Sequence, residues 1–292
     1  MPAETTQTVH RIQIQSTEFI FGSTAGMREI REKIERAVCD DLPVLIEGES
    51  GTGKEAIGRF LHKYSVRGNG PFLKFNCAAA STRLLEEEMF GYEKSGGGDL
   101  RQTMGGPIAL ASGGTLFLDE IDNMELSLQQ KLARTLESSH YRRIGGREDL
   151  AVNARFVCAT SIDPKAGLRN HTFLEELLEC FVPHRVRLLP LRERKEDIPQ
   201  LCEYLLEKFA RDFDRPVPHL SSLALEAFQQ WKWPGNVREL ENWIARIVIF
   251  GAEEAIGLEF SRQLAAGEES PRRYHRASRM NFGRSRRLRR HK

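Results

Sequence analysis

The stretch that decides the fold of this chain is Gly48-Glu49-Ser50-Gly51-Thr52-Gly53-Lys54-Glu55. It follows a short apolar run at 43–46 and opens a segment with helical spacing. A strand, a glycine-rich turn and a helix in that order form a phosphate cradle, because backbone N–H groups point inward and the helix N-terminus adds positive charge. We expect Lys54 to reach the outer phosphates as a point charge. The stretch therefore predicts a nucleotide-binding loop; the plainer alternative is a glycine-rich turn without chemical consequence.

Composition limits the class of protein. With 292 residues, of which 40% are hydrophobic and 29% charged, the chain is typical of a soluble protein with one large domain or two smaller ones. Its apolar runs are far shorter than the roughly 20 residues that span a bilayer, and its polar N-terminus shows no secretory signal. Five widely spaced cysteines without a C-x-x-C pair argue against disulfides or a zinc site. We expect a cytoplasmic protein without membrane contact.

Charge is distributed unevenly along the chain. Residues 268–292 carry nine Arg and one Lys against two Glu, and the rest of the chain is mildly acidic. So basic and so poor in apolar residues, this segment is not expected to fold. It could bind the phosphate backbone of DNA without sequence specificity, and a solvated tail without function is an equal alternative.

Periodicity predicts two folded units. Strands are predicted at 44–46, 72–77, 115–118, 154–160 and 185–189, and helices alternate with them, the last at 172–179. This alternation indicates an α/β core at 19–191, with a mainly parallel sheet and helices on both faces. Three helical segments at 197–213, 222–231 and 236–250 predict a small all-helical lid at 192–262, whose three tryptophans are expected to pack in its core. We expect a disordered leader at 1–18, a long loop at 91–114 and a basic disordered tail at 263–292.

Two acidic residues end the apolar strand at 115–118. Asp119 can hold magnesium, directly or through water, and Glu120 can orient and polarise an attacking water. Alone, such a pair equally fits the negative charges often found at a helix N-terminus. Together with the glycine loop it predicts a site for a nucleotide and Mg²⁺.

Several longer motifs accompany the glycine loop. They are Phe75-Asn76-Cys77-Ala78, Gly113-Gly114-Thr115-Leu116-Phe117-Leu118-Asp119-Glu120, Pro190-Leu191-Arg192-Glu193-Arg194 and Trp233-Pro234-Gly235-Asn236-Val237-Arg238-Glu239-Leu240. With these motifs in this order, residues 19–262 or so resemble the central domain of sigma-54-dependent transcription activators, a branch of the AAA+ ATPases. The resemblance implies an AAA+ P-loop core, ATP bound between neighbours of a ring, usually a hexamer, and remodelling of RNA polymerase that carries sigma-54.

The resemblance also assigns roles by position. Lys54 would bind the ATP phosphates, Asp119 would hold Mg²⁺ and Glu120 would activate water. Asn76 would sense the γ-phosphate through Glu120, and Arg238 would reach the nucleotide from the lid. Taken singly, Asn76 and Arg238 could be an ordinary turn amide and a helix-surface cation. The remaining nucleotide contacts would come from Gly48, Glu49, Ser50, Gly51, Thr52, Gly53, Glu55, Gly113, Gly114 and Thr160.

Two of these positions differ from common patterns. Glu55 stands where a generic glycine loop has the Ser or Thr that ligates magnesium, and it is the resembled family's own residue there. The first sensor corresponds to Thr160-Ser161 where the family usually has Thr-Asn, and Ser161 is shorter and expected to have less reach.

The loop that grips sigma-54 is altered. The family has Gly-Ala-Phe-Thr-Gly-Ala where this chain has Ser95-Gly96-Gly97-Gly98-Asp99-Leu100. Gly97 and Gly98 replace the aromatic and the threonine that make the contact, so the loop has little surface with which to bind a partner.

The segment that supplies arginines to a neighbouring subunit is also altered. The family has Phe-Arg-x-Asp-Leu-x-x-Arg-Leu where residues 173–181 read Phe-Leu-Glu-Glu-Leu-Leu-Glu-Cys-Phe. Leu174 and Cys180 replace both arginines, and arginine fingers are worth about 10³–10⁵ in the rate of related phosphoryl transfers. Arg169 and Arg185 flank the segment, without a sign in the sequence that either substitutes.

These departures shape the expected function. The family usually carries a C-terminal helix-turn-helix and often an N-terminal sensory domain, and this sequence predicts neither. We expect an ATP-binding AAA+ protein that regulates transcription through sigma-54 RNA polymerase in a homo-oligomeric or mixed ring, with weak hydrolysis alone. The alternatives are a non-hydrolysing nucleotide-binding regulator of an active relative and a degenerate gene copy without function.

Overall fold

The computed structural model describes residues 22–78, 82–95 and 101–251. The predicted leader, the altered pore-loop residues 96–100 and the basic tail lie outside them. The strands are β1 (Val44–Glu47), β2 (Phe72–Asn76), β3 (Gly91–Ser95), β4 (Arg101–Gly105), β5 (Thr115–Asp119), β6 (His140–Tyr141), β7 (Leu150–Ala151), β8 (Arg155–Thr160) and β9 (Arg185–Arg187). The helices are α1 (Ala25–Val38), α2 (Lys54–Tyr64), α3 (Thr82–Phe90), α4 (Pro107–Leu110), α5 (Leu126–Ser138), α6 (Pro164–Arg169), α7 (Glu175–Glu179), α8 (Ile198–Asp212), α9 (Ser222–Gln230) and α10 (Asn236–Phe250).

A five-stranded sheet in the order β2-β5-β8-β1-β9 forms the centre of the core, and every neighbouring pair in it is parallel. Because the strands run in one direction, their carboxyl ends share one edge. The register pairs Glu47 with Thr160 and Asn76 with Asp119 at that edge. The predicted mainly parallel sheet is confirmed, and four of its strands end in polar residues along the edge where the glycine loop begins.

Helices cover both faces of the sheet, as predicted. Successive side chains of a strand point to opposite faces, and the core divides accordingly. Leu45 and Leu118 pack in the cluster that includes residues of α3 and α5, whereas Ile46 and Phe117 pack in the cluster with α1 and α2. The near-continuous apolar strands of the sequence are therefore explained by burial on both sides.

The long loop predicted at 91–114 is wrong. β3 and β4 form an antiparallel hairpin, with Gly91 opposite Gly105, and α4 follows it. A second contact secures the hairpin, since the Glu93 N–H donates to the Ile144 carbonyl (2.9 Å) and the Ile144 N–H to the Gly91 carbonyl (2.9 Å). These bonds join backbone groups, so the hairpin needs no alternating apolar pattern and left no periodic signal in the sequence.

Smaller differences concern element ends. The helix predicted at 172–179 begins only at Glu175, because the Thr172 and Phe173 N–H groups both donate to the Gly167 carbonyl in a turn. The strand predicted at 185–189 ends at Arg187. The short pair β6 and β7 was not predicted, and two-residue strands carry too little pattern to be recognised.

Three helices, α8, α9 and α10, form the lid around a separate apolar cluster. All three tryptophans lie in it, which confirms their predicted role in packing. Trp233 is fully buried; its Nε1–H donates to the Phe228 carbonyl (2.7 Å), and its ring meets the Phe228 ring edge-on at 5.4 Å. No described helix is long and apolar enough to cross a membrane.

Trp233→Ala should destabilise the lid by about 3–5 kcal/mol, because it removes the largest fully buried side chain of the described residues and leaves a cavity. Urea unfolding followed by circular dichroism measures the change. Phe250→Ala is the matched control from the same unit, since Phe250 is 72% exposed and its loss should cost less than about 0.5 kcal/mol. Equal losses for the two variants would contradict the assignment of Trp233 to the lid core.

A candidate nucleotide-binding cleft

The glycine loop connects the end of β1 to the start of α2. Gly51 and Gly53 have φ angles of +81° and +102°, in the left-handed region that favours glycine. A Cβ atom on Gly51 would lie 2.2 Å from the Gly235 carbonyl oxygen of the lid. Glycine at 51 therefore serves two needs, the turn itself and the close approach of the lid backbone.

Lys54, the first residue of α2, is only 7% exposed. Its Nζ donates to the carbonyl oxygens of Gly48 (2.6 Å) and Glu49 (3.2 Å) and to Ser161 Oγ (2.9 Å). Burial lowers the pKa of Lys54, and the nearby carboxylates of Asp119 and others oppose that shift. The ammonium thus lies across the loop, at the point where outer phosphates are expected.

Asp119 and Glu120 lie where β5 ends, at the same edge of the sheet as the loop. Glu120 adopts a left-handed backbone conformation (φ +58°, ψ +48°), which costs a non-glycine residue about 1–3 kcal/mol. The Asn123 N–H donates to the Glu120 carbonyl (3.0 Å) and supports this turn. Strain of this kind beside a cleft is a reason to look for function at Glu120.

Thr160 ends β8 and Ser161 follows it, and both are hydrogen-bonded to a residue that the sequence did not single out. Asp122 Oδ1 accepts hydrogen bonds from Thr160 Oγ1 (2.7 Å) and from the Ser161 N–H (3.2 Å). That Ser161 has less reach toward the nucleotide stays a prediction; its hydroxyl accepts a hydrogen bond from the Lys54 ammonium (2.9 Å). A chain of contacts therefore connects Asp122, Ser161 and Lys54.

A second lysine lies on the other side of Asp119. Lys74, on β2, places its Nζ 2.7 Å from Glu55 Oε2 and 3.0 Å from Asp119 Oδ2. Burial by itself would lower the pKa of Lys74, but the hydrogen bonds with Glu55 and Asp119 raise it above its ordinary value. Arg59 also donates to Glu55 Oε1 (2.7 and 2.9 Å). Glu55 therefore has two cationic partners, and Asp119 shares one of them.

Two motif residues join the lid to the glycine loop. The Arg192 guanidinium forms two hydrogen bonds with the Glu49 carboxylate (2.6 and 2.8 Å), and this pairing is the main reason that the pKa of Glu49 is lowered. The fully buried Asn236 amide donates to the Ser50 carbonyl (3.0 Å) and accepts from the Leu191 N–H (2.8 Å). The loop, the connecting segment and the lid therefore share one network.

Arg238 completes this junction. Its Nη1 donates to Ser50 Oγ (3.0 Å), and its backbone N–H donates to the Gly51 carbonyl (3.2 Å). Between loop and lid lies a cleft of about 370 Å³. It is lined by Ser50, Gly51, Thr52, Gly53, Lys54, Glu55, Ala56, Lys74, Asp119, Glu120, Ser161, Arg194, Leu201, Tyr204, Leu205, Lys208, Val237, Arg238 and Glu241.

Apart from Arg238, the lid residues that line the cleft were not predicted as site residues. Tyr204 and Lys208 share a face of α8 at helical spacing, but spacing alone does not say that this face meets the core. Arg194 is 3% exposed and donates to the Thr52 carbonyl (3.3 Å). Burial raises the pKa of Glu241, and Lys208 opposes the shift. The only available signal for Arg194 was its place in a motif.

Six predicted site residues do not line the cleft: Gly48, Glu49, Asn76, Gly113, Gly114 and Thr160. Gly113 and Gly114 precede β5, at the edge of the sheet opposite Asp119, where the Gly113 N–H donates to the Asn153 carbonyl (2.7 Å). This placement does not support the prediction that they bind nucleotide. Asn76 pairs with Asp119, but its Oδ1 accepts from the Ala78 N–H (2.8 Å), and no hydrogen bond joins it to Glu120 in the described part of the chain.

The segment that would carry finger arginines forms α7 and its flanks. Leu174 is half-buried against the core, and Cys180 Sγ donates to the Glu176 carbonyl (3.4 Å). Glu176 and the neighbouring Glu175 are exposed. Of the two flanking arginines, Arg185 forms an ion pair with Glu47 in the sheet (2.7 Å). This surface therefore presents negative charge.

Comparison with known proteins is decisive for the family. The family profile of the sigma-54 interaction domain matches residues 20–187, more than half of the chain, and that of an AAA+ ATPase lid domain matches residues 192–276. The chain belongs to the sigma-54-dependent transcription activators. Within this family of AAA+ proteins, it is 40% identical to the Psp operon transcriptional activator of Escherichia coli over 230 residues, covering 78% of this chain and 71% of that protein.

Two further relatives point to the same family. The chain is 41% identical to the transcriptional regulator NtrC of Azospirillum brasilense over 242 residues, which cover 82% of this chain and 50% of NtrC. Its fold matches a solved structure of NtrX from Brucella abortus in complex with ATP, with a TM-score of 0.72, 31% identity, and coverage of 79% and 50% of the two chains. The chain spans about half the length of the first curated relatives it matches.

Proposed function

We propose that this chain binds ATP in the cleft between its core and its lid, and that it acts in sigma-54-dependent transcription as one subunit of a ring. The observation that carries the proposal is the convergence of Lys54, Asp119, Glu120 and Arg238 on one cleft. ATP is favoured as the ligand because the NtrX relative was solved in complex with ATP.

The contacts of the loop support specific roles. The backbone N–H groups at the start of α2 and the Lys54 ammonium would hold the phosphates, since a helix N-terminus and a buried cation both favour anions. Arg238 already donates to the loop at Ser50 and lines the cleft, so its guanidinium would contact the same phosphates from the lid. Closure of the lid would then depend on the nucleotide.

The donor set fits Mg²⁺. Asp119 and Glu55 offer carboxylate oxygens, the hard donors that Mg²⁺ prefers, and both lie within 3.0 Å of the Lys74 ammonium. No group of three or more His, Cys, Asp or Glu side chains among the described residues could hold a metal. That fits a cation held by one or two carboxylates together with phosphates. When bound, magnesium would neutralise charge on the transferred phosphoryl group.

Glu120 is the proposed general base. Its strained turn at the end of β5 fixes the backbone from which the carboxylate reaches into the cleft. A carboxylate in hydrogen-bond reach of a water can orient it and accept its proton during attack. In this proposal Ser161 and Asp122 hold Lys54 in place and do not touch the water.

Hydrolysis by the chain alone should be slow. Leu174 and Cys180 cannot stabilise charge on a neighbour's phosphates, and the exposed Glu175 and Glu176 place negative charge on that surface. In a mixed ring, other subunits would supply the arginines and the sigma-54-binding loops. Such a ring would explain why the chain keeps its nucleotide cleft although its own arginines and loop are changed.

The same surface favours a second candidate function. A subunit that binds ATP but offers its neighbour an acidic α7 would act as a non-hydrolysing regulator that occupies ring positions. The two candidate functions predict opposite effects on ATP hydrolysis by an intact activator. A contributing subunit preserves or raises hydrolysis per active site, and a regulator lowers it.

We expect the purified protein to bind a fluorescent ATP analogue and to hydrolyse ATP at no more than about a tenth of the rate of an intact activator, because finger arginines contribute about 10³-fold or more. Binding and steady-state hydrolysis should be measured for the protein alone and during titration into the activator. Fast hydrolysis by the protein alone would exclude the regulator. Failure to bind ATP would overturn both candidates.

A further inference from the structure

Lys74 is the one cationic side chain of the described residues that joins two carboxylates proposed to face magnesium. Its Nζ lies 2.7 Å from Glu55 Oε2 and 3.0 Å from Asp119 Oδ2. Lys74 and Asp119 are diagonal neighbours on one face of the sheet, since Asn76 is the direct partner of Asp119. The sheet register itself therefore sets the contact.

The contact neutralises the charge that would otherwise attract a divalent cation. Glu55 is paired with both Lys74 and Arg59, and Asp119 is paired with Lys74. Lys54, the other cation beside Asp119, instead donates to loop carbonyls and Ser161. Two carboxylates on a shared ammonium present far less net negative charge than two unpaired ones.

We propose that Lys74 is a positioning residue that holds Asp119 and Glu55 for magnesium and keeps a divalent cation from binding before the nucleotide. The proposal rests on the proposed function, in which these carboxylates face Mg²⁺. A divalent cation alone would have to compete with the ammonium. A cation that arrives with the nucleotide brings phosphate oxygens as additional ligands, and Lys74 then continues to orient Asp119.

The test measures binding of Mn²⁺, as a spectroscopic substitute for Mg²⁺, to the full chain without nucleotide, by the electron paramagnetic resonance signal of free Mn²⁺. Lys74→Met removes the charge and keeps an unbranched side chain. We expect it to bind Mn²⁺ at least about tenfold more tightly than the wild type, because a repelling charge at contact distance is lost. Lys74→Arg should behave like the wild type. Lys33→Met, which removes an exposed ion pair with Glu29 on α1, is the matched control.

Unchanged Mn²⁺ affinity in Lys74→Met, or tight Mn²⁺ binding by the wild type without nucleotide, would overturn the proposal. The second outcome needs no variant, so the proposal stays testable if Lys74→Met does not fold. Binding of a fluorescent ATP analogue to the wild type in EDTA is measured in parallel and tests the proposed function separately. A wild type that binds no analogue refutes ATP binding, whatever the Mn²⁺ result.

Discussion

Lys54→Ala should weaken ATP binding by about 30- to 150-fold, the effect of losing one charge-assisted contact worth roughly 2–3 kcal/mol. Lys54 is buried, and its ammonium lies across the glycine loop in contact with the Gly48 carbonyl. No other lysine among the described residues makes that contact. The loss should therefore not be compensated by rotation of a neighbouring side chain.

The measurement is the affinity for a fluorescent ATP analogue, with and without Mg²⁺. Lys63→Ala is the matched control, because Lys63 is an exposed lysine on the same helix. Its affinity should equal that of the wild type. If Lys54→Ala, folded by circular dichroism, binds within threefold of the wild type, the glycine loop is not the phosphate site.

The edge of the sheet that carries the candidate site was predictable, because the motifs that form it are local in sequence. The glycine loop follows an apolar strand directly, and Asp119 and Glu120 follow another. Once strands alternate with helices, a parallel sheet brings their carboxyl ends to one edge. Both motifs therefore meet by topology alone.

The lid wall was not predictable for the opposite reason. Arg194, Tyr204 and Glu241 line the cleft through the docking of one unit on the other, and no periodicity records that docking. Lys74 was missed because it sits inside a strand where a charged residue looks like a solvent-facing position. Its role depends on a diagonal neighbour, Asp119, that is distant in sequence.

Two residues that were predicted to bind nucleotide because they belong to a motif lie away from the cleft. Gly113 and Gly114 belong to the same run of sequence as Asp119, yet they precede the five-residue strand that Asp119 ends, which places Gly114 about 17 Å from Asp119 at about 3.3 Å per residue. Gly114 serves the close approach to Pro71, since a Cβ on it would lie 2.0 Å from the Pro71 carbonyl oxygen, whereas Gly113 has a φ angle of +76°, in the left-handed region that favours glycine. A motif can therefore contain residues needed for the fold and residues needed for the site.

Leu174→Arg combined with Cys180→Arg should raise ATP hydrolysis by at least about tenfold, and by up to about 10³-fold if both guanidinium groups reach the neighbouring phosphates. Cys180 is half-buried, packs against the core and has weak thiol contacts to the Glu176 and Ala133 carbonyls (3.4 and 3.9 Å), so its replacement should also cost some stability. Leu174 packs partly against the core, and its replacement should cost about 1–3 kcal/mol of stability.

The rate of ATP hydrolysis is measured for the variant and the parent chain at equal protein concentration. Sedimentation follows ring assembly in the same samples. Leu174→Lys with Cys180→Lys is the matched control, because it restores the charge without the planar fork that binds phosphate in two places. The double-lysine variant should recover a small part of the gain in hydrolysis.

A second experiment adds each variant to an activator of the family whose own finger arginines have been changed to alanine. In these mixtures only this chain supplies arginine to the shared sites. The double-arginine variant should restore hydrolysis there and the double-lysine variant should not. If the arginine variant joins the ring and hydrolysis stays within twofold of the parent chain, the loss of fingers is not what limits this subunit. The negative charge of Glu175 and Glu176 would then be the next cause to test.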